Sequence, residues 1–211
     1  MFNLFRTSRP RRTCRRALAL LRAGMVTARP LAVMERRRFG LLLDSAFITE
    51  YLPYAIDLEY LLTVGMRELS AVQARRLKHQ LAGALARFVR DLESAGFFHR
   101  DLKALNVIVQ WRVESSDPPV ISLVDLDGLK PGWLGGSRGW MRMLMRLNVS
   151  VDGFRRVSLT DRLRLLKRYL DLARPDVPWK RAWRDVAALS EHKRRLRDIA
   201  QARSFEKYGR Y

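Results

Sequence analysis

His99-Arg100-Asp101-Leu102-Lys103-Ala104-Leu105-Asn106 and, nineteen residues past that asparagine, Asp125 in Val124-Asp125-Leu126-Asp127-Gly128 decide the reading of this 211-residue chain. The first stretch sets a carboxylate, Asp101, five residues ahead of a carboxamide, Asn106, with the ammonium of Lys103 between them. At that separation one loop offers both side chains to one cleft. The second follows the apolar run Ile121-Ser122-Leu123-Val124, which reads as a buried strand delivering Asp125 to the same place. Taken singly, Asp101 could be a surface or capping carboxylate and Asp125 a turn residue. In this order they are the set that phosphoryl transfer asks for: a carboxylate beside the attacking hydroxyl, and oxygen ligands for the metal that neutralises the phosphates. Lys103 is placed to offset charge on the transferring group. His99 is read as structural, packed under the loop, and His79 and His192 as solvent-facing.

Outward from these stretches, residues 70–94 read as a long helix. Leu77, Leu81, Leu85, Phe88 and Leu92 recur in it at helical spacing and mark a face for the core. Residues 57–64 read as a short helix, and 9–23 as a basic helix closed by Gly24. Residues 31–38 and 41–52 read as two strands around a turn at Phe39–Gly40. Residues 97–109 and 120–128 are apolar and strand-like, and 159–173 and 182–203 return to helix. The segment 129–157, rich in Gly, Trp, Met and Arg, receives no assignment. The class is α+β: a helix and two strands, then a mostly helical remainder.

Hydrophobic residues make up 48% of the chain, enough to bury a core, while the formal charge is +20 with a pI near 11.3. Such a charge attracts polyanions, whether nucleic acid, anionic lipid or a phosphorylated sugar. Only seven of the 41 basic residues are Lys, a skew that a GC-rich genome also produces, so charge indicates the class of partner and no more. Basic residues spread along the chain without a recognition motif argue against nucleic acid. The one cysteine, Cys14, excludes an intramolecular disulfide and a Cys-rich zinc site. The first residues lack the apolar core of a signal peptide. No uncharged run reaches the ~18–20 residues that span a bilayer. The chain is read as cytoplasmic, with a place on a membrane surface left open.

His99 to Asn106 matches the kinase catalytic loop H-R-D-L-x-x-x-N residue for residue, and Asp125 takes the place of the D-F-G aspartate, with Asp127 at its glycine. Besides these motifs, Gly24–Arg36 (GMVTARPLAVMER), Thr49–Leu52 (TEYL) and Thr160–Leu170 (TDRLRLLKRYL) resemble the bacterial lipopolysaccharide core kinases, the Kdo/heptose kinase family. The resemblance runs from about residue 9 to residue 197. It implies a protein-kinase-like bilobal fold, with 1–53 a remnant of the small lobe and 54–211 the large lobe. It implies ATP and Mg²⁺ as cofactors, Asp101 as base, Lys103 beside it, and Asn106 and Asp125 as metal ligands. It implies that Glu50, Tyr51 and Leu52 form the hinge whose backbone reads the adenine. The acceptor implied is a hydroxyl of a lipid-linked saccharide, reached from the inner face of the bacterial inner membrane. One departure separates the chain from ordinary Ser/Thr protein kinases, whose activation segment closes on A-P-E: no Glu occurs between Gly128 and Ser190.

Parts of a working kinase are not found. No Lys precedes Lys78, no acidic residue precedes Glu35, and Gly24 and Gly40 are isolated, so neither a phosphate-binding Lys with its helix Glu nor a Gly-rich loop is in place. A start placed too far downstream and a degenerate kinase acting as a binding scaffold are the two explanations, and the chain as given is expected to turn over little ATP. Finally, Trp133, Trp140, Met141, Met143, Leu144 and Met145 interleave with Arg138, Arg142 and Arg146. That segment reads either as a surface for anionic lipid or as packing against the large lobe.

Overall fold

Ser8, whose hydroxyl accepts from Arg11 N at 3.2 Å, and Pro10 in the first turn start helix α1 (Arg9–Arg22), which ends ahead of a left-handed Gly24. The structure, a computed structural model, describes residues 7–209; the reading of residues 1–6 as part of a leaderless N-terminus lies outside them. Ala17 and Leu20 of α1 are buried. Strands β1 (Pro30–Arg38) and β2 (Leu41–Thr49) form an antiparallel hairpin. Its turn sets Phe39 and Gly40 at φ 51° and 79°, two left-handed residues in a row, which suits the twist of paired strands. The second strand stops at Thr49 and not at Leu52. Its last partner is Pro30, which has no N–H to continue the ladder. One face of the hairpin meets α1, where Arg11 Nε pairs with Glu35 Oε1 at 3.0 Å. Leu31, Met34, Leu43 and Ile48 remain exposed, and among the described residues the two strands pair only with each other.

Beyond residues 50–52 the chain builds a larger body. Strand β3 (Ala55–Asp57) runs into α2 (Leu58–Thr63), whose first turn is capped by Asp57. Helix α3 (Ala71–Ser94) opens on a reciprocal Ser70–Gln73 capping box. It buries all five residues of its anticipated face, Leu77, Leu81, Leu85, Phe88 and Leu92. The stretch 97–109 is not one strand. Strand β4 (Phe97–His99) ends where the chain leaves the sheet, turns through a 3-10 piece at Ala104–Asn106, and re-enters as β5 (Val107–Gln110). Strand β6 (Val120–Leu123) stops short of 128 because Asp125 is left-handed, at φ 50°. The sheet order is β3-β5-β6, all antiparallel. Strand β7 (Leu129–Pro131) pairs with β4.

The segment without an assignment becomes β7, a 3-10 stretch (Gly132–Arg138) and helix α4 (Gly139–Ser150). Trp140, Met143, Leu144 and Met145 are buried, and Trp140 stacks on Tyr169 with centroids 5.3 Å apart. Most of the apolar residues of the Trp/Met segment are therefore core, and the lipid-facing reading fails for Trp140; of its large apolar side chains Trp133 and Leu134 are the exposed ones. Helices α5 (Leu159–Ala173) and α6 (Trp179–Tyr208) complete the fold. The last is longer than 182–203 because Pro178 sits at its N-cap and no breaker follows until Gly209. Anchorage comes from an unexpected quarter: Glu93, at the end of α3, accepts from the Tyr169 hydroxyl at 2.6 Å and from Arg174 Nη2. Burial and the Glu93 carboxylate push the Tyr169 pKa up, so that hydroxyl remains a donor. A glutamate of α3 thus ties down a body whose later half has none before Glu191.

Asp161 caps α5 through Ser158 and pairs with Lys78 of α3 at 3.0 Å. Burial pushes its pKa up, but hydrogen bonds from Lys78, Ser158 and Arg164 outweigh this and hold it at about 2. A depressed carboxylate stabilises the fold fully above its ordinary value of 3.8 and loses that contribution as pH falls toward about 2. Denaturant midpoints measured across that window should fall more steeply for the parent than for Asp161→Asn. Parallel curves would remove Asp161 from the acid response.

Candidate active site

The catalytic-loop segment is fixed from four sides. His99 is fully buried, and burial pushes its pKa down against the pull of the Asp125 carbonyl and of the Asp101 and Asp125 charges, so the ring is a neutral prop and not a base. Its Nδ1 accepts from the backbone N–H of Asp101 at 3.3 Å. Gly128 lies against the same ring: a Cβ there would fall 2.4 Å from His99 Cε1, which no side chain tolerates. Arg100 N donates to Gly128 O at 2.9 Å, and Ala104 N to Ser150 Oγ of α4 at 2.9 Å. Leu102 and Ala104 point into the core. Arg100, Asp101 and Lys103 stay accessible, while Asn106 is buried.

Asp101, Asn106 and Asp125 are brought together by backbone bonds. Asn106 Nδ2 donates to the Asp101 carbonyl at 3.0 Å, and Val124 N donates to the Asn106 carbonyl at 3.0 Å. The end of β6 is thereby stitched to the loop, and Asp125 emerges beside Asn106. With its amide nitrogen turned to the Asp101 carbonyl, Asn106 has its side-chain oxygen as the atom to offer a cation. Lys103 Nζ stands 3.4 Å from Asp101 Oδ2, both groups about two-fifths exposed. A carboxylate and a carboxamide oxygen are hard donors of the kind Mg²⁺ takes, with phosphate and water completing its shell. Among the described residues no three His, Cys, Asp or Glu side chains cluster as a metal site of their own. The donor set fits a metal that arrives with a nucleotide.

Residues 50–52 form the extended link between the hairpin and β3. Glu50 N is taken by the Arg29 carbonyl at 2.8 Å and its carboxylate by Arg29 Nε at 3.2 Å. Tyr51 is 83% exposed. Among the described residues the backbone N–H of Leu52 has no partner. Of the three anticipated hinge residues, Glu50 thus has its N–H already committed, while Leu52 keeps one to offer.

The sequence reading missed what α1 contributes. Arg9 Nη2 lies 2.9 Å from Asp125 Oδ1 and its Nε 2.7 Å from Asp127 Oδ2. Arg16 Nη1 holds Asp127 Oδ1 at 2.6 Å. The signal was present as Arg9, Arg12 and Arg16 at one-face spacing, together with a carboxylate where the D-F-G pattern has glycine.

The model of the lipopolysaccharide kinase (Kdo/WaaP) family matches residues 2–169, most of the chain. The chain belongs to that family. Among solved structures, one described as WaaP in complex with acyl carrier protein matches with a TM-score of 0.63 and 26% identity, over 90% of this chain and 75% of that one. No match is found among curated proteins. Membership in the Kdo/WaaP family carries a kinase-like function, and the likeness to WaaP carries the protein-kinase-like α+β fold expected from the loop motif.

Proposed function

We propose that this Kdo/WaaP-family chain transfers the γ-phosphoryl group of ATP to a hydroxyl of a lipid-linked saccharide. The observation that carries the reading is the pair of bonds that tie Asn106 to the Asp101 carbonyl and to Val124, the residue before Asp125. In this reading Asp101 takes the proton of the acceptor hydroxyl as its oxygen bonds to phosphorus and the bond to ADP breaks. Lys103 offsets charge on the group in flight. Asn106 and Asp125 hold Mg²⁺, which neutralises the phosphates when bound, and the backbone near Leu52 receives the adenine. Residues 1–53 act as the small-lobe part and 54–211 as the large lobe. No described helix is long and apolar enough to cross a membrane. We place the protein at the inner face of the inner membrane, with exposed Trp133 and Leu134 at the interface. Since the matching WaaP was solved with acyl carrier protein, a carrier protein joins the acceptor among candidate partners.

A second reading, a scaffold without turnover, draws on the Arg9 guanidinium seated on Asp125 and on the lack of any Lys before Lys78. One assay separates the two. The natural full-length protein is incubated with Mg²⁺, γ-labelled ATP and deacylated core oligosaccharide. Label on the saccharide that depends on Mg²⁺ is expected. No label with a folded, nucleotide-binding protein would favour the scaffold.

A further inference from the structure

The end of the hairpin away from residues 50–52 carries a run that neither the core nor the cleft uses: Arg36-Arg37-Arg38-Phe39-Gly40-Leu41-Leu42-Leu43. Every residue of it is exposed, and Phe39, at 85%, is the most exposed large apolar side chain among the described residues. Two features of the backbone turn apolar groups outward. Phe39 occupies the first of the two left-handed turn positions, at φ 51°, where asparagine or glycine is at ease and a bulky aromatic is strained. Leu43 is left over in the ladder, since Arg36 pairs with Asp44 and Arg37 with Leu42, and such a bulge re-aims a side chain. The cations stand beside these groups. Arg38 lies over the Phe39 ring, 5.4 Å from its centroid, and Arg37 braces the turn by donating to the Gly40 carbonyl at 3.2 Å. The Glu35 side chain is 7% exposed and is taken by Arg11 and Arg37, both at 3.0 Å. Asp44 is thus the one exposed carboxylate along residues 35–44.

We infer that this hairpin tip is a membrane anchor, which sets Phe39, Leu41 and Leu43 into the headgroup boundary of an anionic bilayer while Arg36 and Arg38 hold lipid phosphates. The anchor serves the membrane placement proposed above and rests on it, not on phosphoryl transfer. Stable attachment to a bilayer asks for two signals together, apolar area to bury and basic charge beside it, and eight consecutive residues supply both. The charge of +20 draws the whole chain toward the same surface. The strained turn points the same way. For the hairpin alone, asparagine before Gly40 would serve better than Phe39. A phenyl group held out in water at a left-handed position gains something where an apolar phase receives it. The nine residues of β2 set the tip about 30 Å from residues 50–52, so insertion leaves the region near Leu52 open.

Vesicles of phosphatidylcholine, with and without phosphatidylglycerol, are the probe, in cosedimentation with the full chain. The parent should bind the anionic vesicles, less at high salt, and the neutral ones weakly. Phe39→Asn with Leu43→Ser should weaken anionic binding about tenfold or more. Its melting temperature should be no lower than the parent's, because Asn-Gly suits the turn and Leu43 is exposed. Lost binding with kept stability is what an ordinary packing role would not produce. Arg36→Gln with Arg38→Gln should make binding less sensitive to salt and to phosphatidylglycerol. A parent that binds neither vesicle overturns the anchor and the membrane placement together. A folded Phe39→Asn, Leu43→Ser protein that binds like the parent overturns the anchor alone, and Trp133→Ser then tests what is left of the placement. Light scattering without lipid covers another occupant. A parent that self-associates, and a double variant that is monomeric yet binds vesicles as well as the parent, would assign the tip to a second copy of the chain and overturn the lipid assignment.

Discussion

Asp101→Asn should lower phosphoryl transfer by the natural full-length protein ~100-fold or more, the lower range for loss of a positioned base, and leave nucleotide affinity in place. The structure explains why these two effects separate. Asn106 is held by the backbone carbonyl of Asp101 and not by its carboxylate, so the amide substitution keeps the loop and Asn106 where they are. The carboxylate itself makes only the 3.4 Å contact with Lys103, at a half-exposed position, and its loss should cost little stability. Steady-state rates with saccharide acceptor, together with nucleotide titration, check both halves. A variant at full rate would remove Asp101 from the chemistry; a variant that loses nucleotide binding would mean that the residue shapes the site instead of reacting in it.

Asp125→Ala should abolish the part of nucleotide affinity that depends on Mg²⁺. Parent binding should strengthen when Mg²⁺ is added, and the variant should forfeit ~10-fold or more of that gain, since loss of even an outer partner of a metal ligand has effects on this scale. The substitution also frees Arg9 from Asp125, so a control is needed. Asp127→Ala loosens Arg9 and Arg16 of α1 as well, yet should keep the metal dependence. Titrations with and without Mg²⁺ for both variants distinguish a ligand from a helix anchor. Equal dependence in Asp125→Ala and the parent would remove Asp125 from the metal site.

Much of this site was legible in the sequence because its geometry is local. Five residues of loop separate Asp101 from Asn106, and an apolar strand leads to Asp125, so a short-range pattern suffices to bring their backbones together. The buried face of α3 was legible for the same reason, its leucines repeating with the helix turn. The contacts that escaped are long-range ones. Arg9 meets Asp125 across 116 residues, and Glu93 meets Arg174 across 81; no local periodicity encodes either. Helix α4 was obscured by composition: Gly, Trp and Met give weak periodic signals, and its core role depends on Tyr169 from another helix. Strand ends were misjudged where backbone geometry, not hydrophobicity, stops pairing, at Pro30 opposite Thr49 and at left-handed Asp125.

The uncovered hairpin has a consequence for affinity. Its strands hold each other and lean on α1, whereas the loop bearing Asp101 and Asn106 is locked to α4, to β6 and to the buried His99. Local opening of the hairpin therefore disrupts little else, and the segment near Leu52 can come apart while the acidic residues stay in register. A nucleotide spanning both parts would bind only during the fraction of time that the upper part is assembled, and its apparent dissociation constant rises by the inverse of that fraction. Anything that clasps the upper part, whether further strands or a bound partner, would sharpen nucleotide binding without touching the nucleotide.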